Sequence, residues 1–134
     1  MYAIPSVNLI IVVVAAVVSF VSGGIYWGVI ANPLTKLLGK VPEEVKFPPA
    51  ALIADFLTRV ALTYVLAIFL YYAGAQNALA GAALALLAWF GFVLTISIGQ
   101  AAFGWMSWTR LIVGSGESLL AYALMGAVIG AWAR

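Results

Sequence analysis

A chain of 134 residues that is 66 % hydrophobic and 7 % charged carries more apolar surface than a soluble domain of that length can enclose. It has no Cys and no His, which excludes a disulfide framework, a thiolate metal site and a histidine proton relay. Its net charge of +2 rests on six basic and four acidic side chains, too few and too scattered for a nucleic-acid footprint. The expectation is an all-α polytopic membrane protein: one integral domain over 1–134, four transmembrane helices of roughly 20 residues or more, no metal and no cofactor.

The first apolar stretch predicts a helix over about 7–31. It follows the start signal Pro5-Ser6 and stops at Asn32-Pro33, where proline opposes continuation. The run Ile10 to Val14 has strand propensity, but in lipid the backbone must satisfy its own hydrogen bonds, so helix wins. No basic residue precedes this stretch, and it exceeds the core of a secretory signal, so it reads as a retained span. Thr35 to Pro49 holds Lys36, Lys40, Glu43, Glu44 and Lys46 and reads as the one long polar loop, with room for a short surface helix near Leu34 to Leu38.

Pro48-Pro49 opens a second helix over about 50–72, since proline costs least in a first helical turn. The uncharged turn Ala73 to Asn77 leads into a third over about 78–105, whose small-residue start favours close helix approach. A turn carrying Trp105, Trp108 and Arg110 precedes the fourth, over about 111–132. Trp105 and Trp108 read as interfacial anchors at one end, and Trp132 as their counterpart at the other. Lys36, Lys40, Lys46 and Arg110 gather on the side of the first and third loops, and Arg134 alone on the other. The positive-inside rule then puts both termini outside the cytoplasm. Thr35-Lys36-Leu37 and Thr109-Arg110-Leu111 form a faint echo between the two halves.

Charged residues within the spans carry the functional question, because they are expensive there. Asp55 and Arg59 stand four residues apart on one face of the second helix. Counted from Ala50 they lie about 8 Å and about 14 Å along it, and Glu117 lies about 9 Å along the fourth helix from Leu111. The expectation is one cluster in the cytoplasmic half of the bundle, with Arg59 bridging Asp55 and Glu117, and with Arg110 close by. Gly114, Ser115, Gly116 and Ser118 around Glu117 leave room for water or a ligand; they equally fit a helix start that Ser115 caps. Gly24 with Gly28, and Gly126 with Gly130, are G-x-x-x-G pairs suited to packing within or between chains. Among the mild polar groups of the third helix, Thr95, Ser97 and Gln100, only Gln100 needs a partner.

Gly24-Ile25-Tyr26-Trp27-Gly28, Asn32-Pro33-Leu34 and Leu37-Leu38-Gly39, together with the closing Leu124 to Trp132, resemble the small four-helix bacterial membrane family called DUF1761. At Glu117-Ser118 this chain departs from the family pattern of an aromatic followed by histidine. The resemblance implies a fold and a bacterial inner-membrane location, and no activity. Without an activated nucleophile, a metal or a matched acid and base, an enzyme is not expected. The first reading is a non-catalytic bundle that self-associates or serves a larger membrane assembly, with lipid and other helices as partners. The alternative is a small-solute or ion carrier that uses the charged cluster.

Overall fold

Four helices, each long and apolar enough to cross a membrane, make up the computed structural model, which describes residues 5–40 and 48–132. They are α1 (Leu9–Leu37), α2 (Pro49–Tyr72), α3 (Ala78–Ala102) and α4 (Trp108–Trp132). The shortest has 24 residues, which at 1.5 Å per residue gives about 36 Å against a hydrocarbon core of about 30 Å. No strand occurs among the described residues.

Several boundaries differ from the sequence expectation. The Asn8 side chain caps α1, accepting from the backbone of Ile10 and Ile11, so the start signal is Asn8 and not Pro5-Ser6. At its other end α1 runs through Asn32-Pro33 to Leu37 instead of stopping there. The reason is a π-helical turn over Tyr26–Ile30, where the Ala31 amide bonds the Tyr26 carbonyl five residues back. This wide turn loosens the ladder just before the ring of Pro33, which has no amide to donate and would crowd the carbonyl four residues behind it. Leu34 to Leu37 therefore belong to α1 and form no separate surface helix. The remainder of the polar loop, with Glu43, Glu44 and Lys46, lies outside the described residues, as does Arg134.

α3 ends at Ala102 and α4 begins at Trp108, so Arg110 sits in a first helical turn and not in a loop. Ser107 caps α4, its hydroxyl accepting from the Arg110 amide. Gly74 (φ +80°) and Gly104 (φ +79°) close α2 and α3 in the left-handed conformation that glycine adopts without strain. A second π-helical stretch, Trp89–Leu94, interrupts α3. Thr95 and Ser97 turn their hydroxyls back onto the carbonyls of Gly91 and Val93 within it.

α4 is the central helix. It lies closest to α3, then to α1; α2 leans on α1 and touches α4 more lightly, and α2 and α3 barely meet. The core draws on all four, with Val12 and Ala15 of α1, Leu66 and Leu70 of α2, Ala85 of α3 and Ala121, Met125 and Ile129 of α4. Many of these are alanines. In lipid there is no water to expel between helices, so association relies on close backbone approach and dispersion, which small side chains permit. Large side chains such as Ile10, Leu57, Leu87 and Phe92 point outward instead.

Gly126 and Gly130 of α4 meet Gly81 of α3. A Cβ on Gly130 would stand 3.0 Å from the Gly81 Cα, and one on Gly126 2.5 Å from the Ala85 Cβ. This G-x-x-x-G pair is thus an intrachain seam. The pair on α1 differs: a Cβ at Gly24 or Gly28 would meet nothing within 4 Å among the described residues, so neither glycine packs against another described helix.

Candidate functional site: an ion knot across three helices

Arg59 leaves α2 beside the α1–α4 contact, and its three guanidinium nitrogens go to three different groups. Nε donates to Asp55 Oδ2 at 2.8 Å, Nη1 to the Ser19 carbonyl at 3.1 Å and Nη2 to Glu117 Oε1 at 2.9 Å. The first contact is the i, i+4 pair legible in the sequence, and the other two tie α2 to α1 and α4. Counted from the observed helix starts, Arg59 lies about 15 Å along α2 and Glu117 about 13.5 Å along α4, so the two are level.

Burial differs sharply within the group. The Arg59 and Glu117 side chains are 14 % and 12 % exposed, whereas Asp55 is 47 % exposed. Glu117 owes its enclosure to Gly23, where a Cβ would lie 2.6 Å from Oε1 and 3.1 Å from Arg59 Nη2. Glycine is needed there for the space it leaves.

Arg110 does not join this group, contrary to expectation. It is exposed and forms no ion pair among the described residues. It stands seven residues before Glu117, which puts it on nearly the same face of α4 but about 10 Å nearer the helix end. Two carboxylates therefore face one guanidinium, for a formal charge of −1.

Two of the small residues around Glu117, Gly116 and Ser118, are covered by aromatic side chains, whereas a Cβ on Gly114 would meet nothing within 4 Å among the described residues. Tyr26, the first residue of the α1 π turn, lies against Gly116 and donates its hydroxyl to the Val113 carbonyl at 2.6 Å. Trp89, the first residue of the α3 π turn, donates its indole N–H to Ser118 Oγ at 2.7 Å, and Ser118 donates to the Ser115 carbonyl. Both π turns thus present an aromatic donor to the one segment of α4 that carries Glu117. One turn further in, the buried Thr63 hydroxyl contacts Met125 Sδ at 3.1 Å and the Arg59 carbonyl at 2.6 Å. The sequence alone singles out no role for Ser19, Gly23, Thr63 or Trp89, and none for Tyr26 beyond its place in the Gly24 to Gly28 segment. A π turn has no periodicity signature to announce it, although the aromatic-aromatic-glycine triplets Tyr26-Trp27-Gly28 and Trp89-Phe90-Gly91 mark both sites.

Gln100, half-buried, makes no side-chain hydrogen bond among the described residues. Trp105 is exposed and stacks on Phe103 at 5.2 Å between ring centroids, and Trp108 and Trp132 are exposed near opposite ends of α4. Among the described residues no group of His, Cys, Asp and Glu is arranged to hold a metal ion.

No curated protein and no solved structure matches this chain. A family model does, over residues 10–130, and its description is a protein of unknown function. With that match spanning all four helices and the knot between them, the chain belongs to the DUF1761 family.

Proposed function

We propose that the protein is a non-catalytic integral membrane bundle, self-associating or an accessory subunit of a larger assembly, in which the Asp55–Arg59–Glu117 knot fixes helix register. The observation that carries this reading is that each guanidinium nitrogen of Arg59 has a partner within the protomer. Three of its five N–H groups donate to Asp55, Ser19 and Glu117, groups of the protomer's own helices, so the charge is held between helices as a clamp. The open glycines of α1 supply a face for association. On this reading the end bearing Lys36, Lys40 and Arg110 is cytoplasmic, in the inner membrane of a bacterium, and both termini lie outside.

The formal excess of one carboxylate favours a second reading, a small carrier of a cation or proton. Glu117→Gln separates the two. As a clamp its loss lowers thermal stability and leaves reconstituted vesicles without any flux to lose. In a carrier, Glu117→Gln leaves assembly intact and abolishes flux. The mass of the wild-type particle in nanodiscs tests self-association directly, and a monomer there would remove that part of the proposal.

A further inference from the structure

Because α2 and α3 barely meet, a groove of about 110 Å³ opens between them above Tyr122 of α4. Its walls are Leu62, Val65 and Phe69 of α2 and Ala88 and Phe92 of α3. Residues 55, 58, 62, 65 and 69 succeed one another at intervals of three and four, so they form one continuous face of α2. The apolar wall therefore leads, toward the helix start, to two exposed polar residues, Thr58 and Asp55. Arg59 engages only Oδ2 of Asp55, and Oδ1 has no partner among the described residues.

Charge complementarity identifies the occupant. The knot carries two carboxylates to one guanidinium, and its half-exposed member lies about 9 Å along α2, near the polar end of that helix. A cationic group at the polar end of this apolar channel would balance that charge through the open Oδ1. The groove itself has room for roughly four groups the size of a water or methylene, a stretch of one aliphatic chain. We infer that this groove binds an ammonium-headed amphiphile, with the ammonium between Asp55 Oδ1 and Thr58 and the chain lying between α2 and α3. This site is separate from the self-association reading and does not depend on it.

The test uses the full chain in a nonionic maltoside detergent, free of ammonium-headed lipid, and two photoreactive probes, dodecylamine and dodecanol, each with a diazirine at the chain end. Peptide mass spectrometry locates the label. The amine is expected to label the α2 and α3 walls of the groove and to bind at least about tenfold more tightly than the alcohol, as a charge-assisted contact implies. Asp55→Asn is expected to bring the amine down to the alcohol's affinity. Ala88→Trp, which fills the groove without touching the knot, is expected to abolish labelling by both while thermal stability is kept, so the proposal stays testable if Asp55→Asn misfolds. Equal binding of amine and alcohol to the wild-type protein, or labelling of the outer α1 face in place of the groove, overturns it. So does efficient disulfide formation between two copies of Ala88→Cys in this otherwise cysteine-free chain, because that means a second protomer covers the groove.

Discussion

Glu117 and Gly23 stand so close that a single methyl group on the glycine would come within 2.6 Å of the carboxylate oxygen. The ion pair between α2 and α4 exists because α1 leaves out a side chain at that level. Gly24, the next residue, has open space where its Cβ would be. Adjacent glycines thus have opposite environments, and this yields a direct contrast.

Gly23→Ala is expected to destabilise the protein by about 1–3 kcal/mol, the usual cost of overpacking. Gly24→Ala is expected to be neutral or to stabilise by up to about 1 kcal/mol, since alanine is the better helix former and meets no neighbour. Thermal unfolding of both variants in the same detergent checks the pair. Equal midpoints would mean that Gly23 does not hold the knot's space.

Removing Arg59 leaves Asp55 and Glu117 without the counter-ion they share. Arg59→Leu is therefore expected to cost about 3–5 kcal/mol, enough to deplete folded protein in the membrane. The triple variant Asp55→Asn, Arg59→Leu, Glu117→Leu removes every charge at once and is expected to recover most of that loss, because an apolar replacement of a buried ion group is often neutral. Folded yield and melting temperature of the single and triple variants give the comparison. A triple variant no better than Arg59→Leu would show that the charges do more than compensate one another.

The glycine seam between α3 and α4 separates packing inside a protomer from packing between protomers. Gly81→Leu is expected to prevent folding, since the Cβ alone already collides with the Gly126 backbone. Gly28→Leu is expected to leave the protomer's stability unchanged within about 1 kcal/mol, because it faces open space. Where the α1 face is the seam between copies, that variant lowers the particle mass. Mass photometry in nanodiscs, read beside the melting curve, checks both.

How much of this was legible in the sequence depended on whether a feature was local. The spans follow from apolar runs, and the Asp55–Arg59 contact follows from i, i+4 spacing within one helix. The meeting of Arg59 with Glu117 could be anticipated from depth, because both are counted from the same end of the bundle. Arg110 failed that count because seven residues, about 10 Å, separate it from Glu117 wherever helix 4 starts; the start at Trp108 brings Glu117 level with Arg59 and leaves Arg110 in the first turn. The two G-x-x-x-G pairs look alike in sequence, yet only Gly126 with Gly130 faces another helix. Rotation of a helix about its axis is set by its neighbours and is not written in the motif. The π turns at Tyr26 and Trp89 left no periodic trace, and only the aromatic-aromatic-glycine triplets there point to the aromatic donors to α4.

Those donors support the last prediction. The Tyr26 hydroxyl bonds the Val113 carbonyl, in the segment of α4 that leads to Glu117, and its ring occupies the space beside Gly116. Tyr26→Phe keeps the ring and removes only the hydrogen bond, so it is expected to cost about 0.5–1.5 kcal/mol. Tyr26→Ala removes the ring as well, leaves a cavity against α4 and is expected to cost about 3–5 kcal/mol. Amide hydrogen exchange locates the effect. Residues 113–118 are expected to exchange faster in both variants, while the Gly126–Gly130 seam, packed on α3 and remote from Tyr26, keeps its protection. Uniform loss of protection along α4 would mean that Tyr26 supports the whole helix and not the segment that carries Glu117.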